Sequence, residues 1–131
     1  MGYDLSGRMA TSKHGEYFRN NVWWWRRLWA FVCWECLDDM SKKNMESGHW
    51  NNGDLIPAKV ALKIADRLDL ALKEGRVQRY SRQVSRDMKK AEKLNQGKKF
   101  GDAGFDFDVN YPFDTGNVRS FAKFARESGG F

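Results

Sequence analysis

Asn20-Asn21-Val22-Trp23-Trp24-Trp25-Arg26-Arg27-Leu28-Trp29-Ala30-Phe31-Val32-Cys33-Trp34-Glu35-Cys36-Leu37 is the stretch on which the fold turns. Trp25, Leu28, Trp29, Val32 and Cys36 recur at the spacing of one helix face. Trp24, Phe31 and Trp34 cover much of the remaining circumference. A helix that is apolar on most faces belongs inside a core. The run 22–37 is therefore expected to be a buried central helix, and it is shorter than the ~20 apolar residues of a membrane span. Asn20 and Asn21 stand where an N-cap is wanted, since an Asn side chain accepts orphan backbone N–H groups. Val22-Trp-Trp-Trp is also good strand material, which leaves a second reading in which the helix starts at Arg26 or Arg27.

Outward from this run, residues 1–21 carry Gly2, Gly7 and Gly15 and show no helical period, so they read as an irregular arm. Residues 38–56 read as a polar connection, with Gly48-His49-Trp50-Asn51-Asn52-Gly53-Asp54 dense in turn formers. Asp54 is placed to cap a helix over 57–74 that opens with Pro57 and carries Val60, Ile64, Leu68, Ala71 and Leu72 on one stripe. Gly75 is expected to end that helix in the left-handed conformation. A third helix, 77–95, carries Val77, Tyr80, Val84, Met88, Ala91 and Leu94. Phe105-Asp-Phe-Asp-Val109 alternates with period two and suggests a short strand. Asp114 or Thr115 is set to cap a last helix over 116–127. The chain reads as one domain over 1–131, a small, mainly α fold of about four helices with at most a minor β element.

The 131 residues hold 23 Lys and Arg against 17 Asp and Glu, a net charge of +6. The segment 76–99 alone nets +7, so the basic character is local. Arg76, Arg79, Arg82, Arg86, Lys89, Lys90 and Lys93 form a basic surface opposite the apolar stripe of the third helix. Such a face attracts phosphates or an acidic protein surface, or simply stays solvated. Two cysteines, no leader-like start and no long apolar run point to an intracellular, cytoplasmic protein without a membrane segment.

Six tryptophans are heavy use of the bulkiest side chain, and four of them lie between residues 23 and 29. Trp stacks on nucleobases, Arg forks onto phosphate and Asn reads base edges. Arg19, Asn20, Asn21, Trp23, Trp24, Arg26 and Arg27 are therefore candidate ligand-binding residues. Consecutive helical residues point about 100° apart, so Trp23, Trp24 and Trp25 cannot share one pocket. The loop residues His49, Trp50 and Asn51 join the candidates if the loop folds over the first helix beside Arg19 and Arg26. Cys33 and Cys36 share a helix side and, with His14 and His49, supply a zinc-ligand count at a spacing that matches no zinc finger. Buried free thiols are the plainer account. Asp106 and Asp108 would face one side of a strand and could hold a divalent cation, and Asp102 and Asp114 flank them. The acids of this loop are equally placed to neutralise the basic helix. No nucleotide-binding loop, catalytic elbow or metalloprotease helix is present. No cofactor or metal is expected.

The tract Gly15-Glu-Tyr-Phe-Arg-Asn-Asn-Val-Trp-Trp-Trp-Arg26, the loop Gly48-His49-Trp50-Asn51 and the ending Asn117-Val-Arg-Ser-Phe-Ala-Lys-Phe-Ala-Arg-Glu-Ser-Gly-Gly130 resemble a family of small phage- and prophage-borne proteins without an assigned activity. Segment 76–110 has no counterpart in the resemblance, and Arg27 stands where relatives carry proline. The resemblance implies an accessory protein in a bacterial host cell that covers a host protein or sequesters a host signal, and it carries over no catalytic residue. The expectation is a non-catalytic protein that binds a nucleotide-like phosphate ligand or nucleic acid. The alternatives are an anti-defence inhibitor docking on a host protein, in the manner of an anti-CRISPR, and a small metal-dependent enzyme such as a nuclease. The density of aromatics also admits a homo-oligomer.

Overall fold

A computed structural model describes residues 2–49, 55–106 and 110–131. Its elements run β1 (Gly2–Ser6), β2 (Tyr17–Asn21), α1 (Val22–Glu35), α2 (Lys42–Ser47), α3 (Ala58–Lys73), α4 (Arg76–Leu94) and α5 (Thr115–Glu127). The mainly α expectation holds, with four longer helices and a single two-stranded sheet among the described residues.

The arm expected to be irregular contains that sheet. β1 and β2 pair antiparallel, with Gly2 opposite Asn21 and Ser6 opposite Tyr17. The alternation is real but brief. Tyr3 is buried and Leu5 half-buried, while Asp4 and Ser6 face out; Phe18 anchors the partner strand. Between the strands a strap, 7–16, runs over the end of α5. Met9 N–H donates to Ser128 O at 3.0 Å, Thr11 N–H to Glu127 O at 2.8 Å and Arg8 N–H to Gly130 O at 2.8 Å.

α1 starts at Val22, not at Arg26 or Arg27, because Asn21 caps it by accepting from Trp24 N–H at 3.0 Å. The cap outweighs the strand preference of the tryptophans. The helix ends at Glu35, two residues before its expected end. It is also not buried all round. Trp25, Leu28, Trp29, Phe31 and Val32 are buried, but Trp34 is 73% exposed and Trp23 38%. α1 lies at the edge of the domain and gives only one broad face to the core.

Segment 38–56, expected to be a connection, contains α2. Ser41 accepts from Asn44 N–H at 3.1 Å while the Asn44 side chain accepts from Ser41 N–H at 3.3 Å, a reciprocal cap. Asp54 lies outside the described residues, and the cap position of α3 is held by Pro57. α3 and α4 are broken apart by Gly75, left-handed at φ +80° as expected. Asp114 caps α5, accepting from Asn117 N–H at 2.8 Å. Phe105 and Asp106 form no strand; 107–109 lie outside the described residues.

The core has two aromatic halves. Tyr3 stacks on Trp25 (4.5 Å, 12°) and Trp25 on Trp29 (5.3 Å, 16°), with Phe121 edge-on to Trp25 at 5.4 Å. Phe31, Tyr80 and Phe113 form the second cluster between α1 and α4. α3 packs most extensively against α5. Phe131 closes the first half against Phe121 and Phe124, and its backbone pairs with that of Ile56.

Candidate functional site

The candidate residues around the tryptophan run divide between places set by the 100° step of the helix. Trp25 is core. Trp24 lines an open polar cleft of about 460 Å³ with Arg19, Asn20, Asn21, Asn117 and Ser120. Three of the polar side chains there already have structural work. The Asn20 and Asn117 amides bond each other reciprocally at 2.9 Å, tying β2 to α5, and Asn21 is the cap of α1. Arg19 reaches Asp4 at 3.6 Å, and both side chains are well exposed. Asp4 also accepts from the Tyr17 hydroxyl, which pushes the Tyr17 pKa up.

Trp23, Arg26 and Arg27 converge on Tyr111. The Trp23 ring lies 5.1 Å from the Tyr111 ring, the Arg26 guanidinium sits 5.5 Å above it, and Arg27 Nε–H donates to Tyr111 O at 2.6 Å. Arg26 also borders a hollow of about 380 Å³ with Tyr3, Trp25, Trp29 and His49. The turn after α2 therefore does fold over α1. Trp25 Nε1–H donates to Gly48 O at 2.7 Å and Trp29 Nε1–H to Met45 O at 2.8 Å. Trp50 and Asn51 lie outside the described residues.

Cys33 on α1 and Cys36 at its C-cap are free thiols, half-buried and buried respectively. Burial pushes Cys33 up to about 11 and Cys36 up to about 12, with the nearby Asp39 charge adding to the latter. Among the described residues no three His, Cys, Asp or Glu side chains form a metal-binding group. Asp108 lies outside them, so its pairing with Asp106 is not described. Asp102 accepts from Lys99 N–H at 2.7 Å and closes a local turn. The Asp106 backbone is bracketed by the Asn95 side chain at 2.7 and 2.8 Å, and Asp114 caps α5. Among the described residues, Asp102 and Asp114 form no salt bridge with α4.

The basic surface of α4 is set by spacing. Arg79, Arg82, Arg86, Lys89, Lys90 and Lys93 are all exposed, and their positions fall within an arc of about 100°. Asp87 and Glu92 fall outside that arc on opposite flanks. Val77, Val84 and Ala91 are buried on the reverse face. The stripe runs about 21 Å along the helix. No salt bridge among the described residues engages any of its six bases. Arg76, expected to belong to it, does not. Its Nε and Nη2 donate to the two Glu35 oxygens at 3.0 and 3.2 Å, and it also pairs with Glu74. Those two carboxylates, Glu35 foremost, raise its pKa further.

At the start of the stripe lies a groove of about 660 Å³ between α1 and α4. Phe31 and Tyr80 form its floor, Trp34 and Ala30 its α1 wall, and Arg76 and Arg79 its rim. Trp34, expected from the sequence to be part of a buried helix, is exposed. The one clue to its exposure is the pair Ala30 and Trp34, four residues apart on the helix side opposite Val32. No protein-family profile, curated protein or solved structure matches the chain.

Proposed function

We propose that the protein is a non-catalytic nucleic-acid-binding protein that takes the phosphate backbone along α4. The observation that supports this reading is the stripe of six exposed bases, which among the described residues has no acid within its arc and no salt-bridge partner. Lys and Arg charges set along one helix face neutralise phosphates and release the cations condensed on the nucleic acid, which drives binding. The stripe's length favours a polymer over a single nucleotide. About 21 Å corresponds to roughly six phosphates at the 3.4 Å axial spacing of one strand. As a phage-type accessory protein it would act by occupancy, withholding or covering a strand, with no bond made or broken.

The test is a salt series. Fluorescence anisotropy with labelled 15-nucleotide strands and the matching duplex gives the dissociation constant between 50 and 200 mM salt. Binding is expected to weaken linearly on a log–log plot, with a slope on the order of −4 to −5 for six contacts. Replacing Arg82, Arg86 and Lys89 together by Gln is expected to reduce the slope by about 2–3 and leave the thermal midpoint unchanged, since all three are exposed. Absence of binding to either nucleic acid at 50 mM salt, or a triple variant that binds like the parent, overturns the reading.

A further inference from the structure

We propose that the groove between α1 and the start of α4 seats one unpaired base, so that the preferred ligand is single-stranded, with Trp34 as the stacking face. This rests on the reading of α4 as a phosphate-binding helix and adds the base-binding half of the site. Trp34 is 73% exposed, and among the described residues no ring packs on it. A large aromatic face left open to water at the mouth of a groove is unusual for a side chain of this kind.

The groove around it is built firmly. Tyr80 packs edge-on against Phe113 at 4.6 Å and tilted against Phe31 at 5.4 Å, which fixes the floor. Ala30 leaves the opening beside Trp34 because it has no bulk to fill it. The volume of about 660 Å³ lies within the range of small-molecule sites. Its electrostatics suit a nucleotide. The carboxylate of Glu35 is gripped by both Arg76 donors and is only 10% exposed, so it does not repel an anion. Arg79 belongs both to the groove and to the stripe. A strand whose phosphates follow α4 therefore arrives with a base at Trp34. A paired base is stacked on both faces within a duplex and offers no face to a side chain on the surface.

The experiment compares the parent protein with Trp34→Ala and Trp34→Phe on an oligo(dT) 15-mer and on a 15-base-pair duplex. Trp34→Ala is expected to weaken single-strand binding about 5- to 150-fold, the range of one lost stack, with the salt slope unchanged. The same variant should bind the duplex within twofold of the parent. Trp34→Phe should restore most of the single-strand affinity, while the tryptophan quench that accompanies binding in the parent diminishes. If Trp34→Ala binds oligo(dT) like the parent, or loses strand and duplex binding equally, the base seat is overturned and the α4 reading survives. If the parent binds neither, both fail together.

Discussion

Gly48 lies flat against the Trp29 indole, and a Cβ there would overlap the Cε2, Nε1 and Cζ2 atoms. Its place in the Gly48–Asp54 loop marks it as a turn former, but the contact is what demands glycine. Gly48→Ala is expected to cost about 1–3 kcal/mol by overpacking, read as a lower thermal midpoint. The two thiols carry a pH signature. A buried Cys keeps its proton in the folded state to about pH 11 or 12, whereas an unfolded Cys ionises near 8.5. Their contribution is therefore constant below about pH 8.5 and falls as pH rises above it, because the unfolded state then binds fewer protons. Denaturant midpoints at pH 7.5 and 10 should fall further in the parent than in a Cys33→Ala/Cys36→Ala variant. The separate directions of Trp23, Trp24 and Trp25 were legible from the helix step alone. The amide pairing of Asn20 was not, because its partner, Asn117, is 97 positions away.

Among the elements, caps decide the boundaries. Asn21→Ala removes the acceptor for Trp24 N–H and is expected to cost about 1 kcal/mol, measured by chemical denaturation. Gly75→Ala puts a Cβ on a residue at φ +80°, and a loss of about 1–2 kcal/mol is expected in the same assay. The longer helices were visible in the sequence because each repeats its apolar face over three turns or more. β1 was hidden because Gly2–Ser6 alternates over only five residues and ten residues separate it from its partner. α2 was hidden because six residues hold no period. The basic stripe could be read directly from spacing. The groove at its end could not, since the pairing of Trp34 with small Ala30 marks a side of α1 but not whether the rest of the chain covers it.

At the scale of the molecule, sequence ends meet. The strap 7–16 is bonded to residues 127–130, and Ile56 pairs with Phe131. Phe131 is buried against Phe121 and Phe124, so Phe131→Ala is expected to cost about 3–5 kcal/mol. Native-state hydrogen exchange should then report faster exchange at Ile56 and at Met9 together, although they lie far apart in sequence. This closure has a consequence for synthesis. Trp25 and Trp29 leave the ribosome early, but the Phe121 ring that covers Trp25 comes almost a hundred residues later, a wait of about 5–20 s at ordinary translation rates. Through that interval Tyr3 can stack on one side of Trp25 and the α2 turn can reach Trp29, but the side that α5 covers stays open. Phe121 ends that exposure, so a chain cut before it is expected to aggregate, read as light scattering, where a chain carrying it does not.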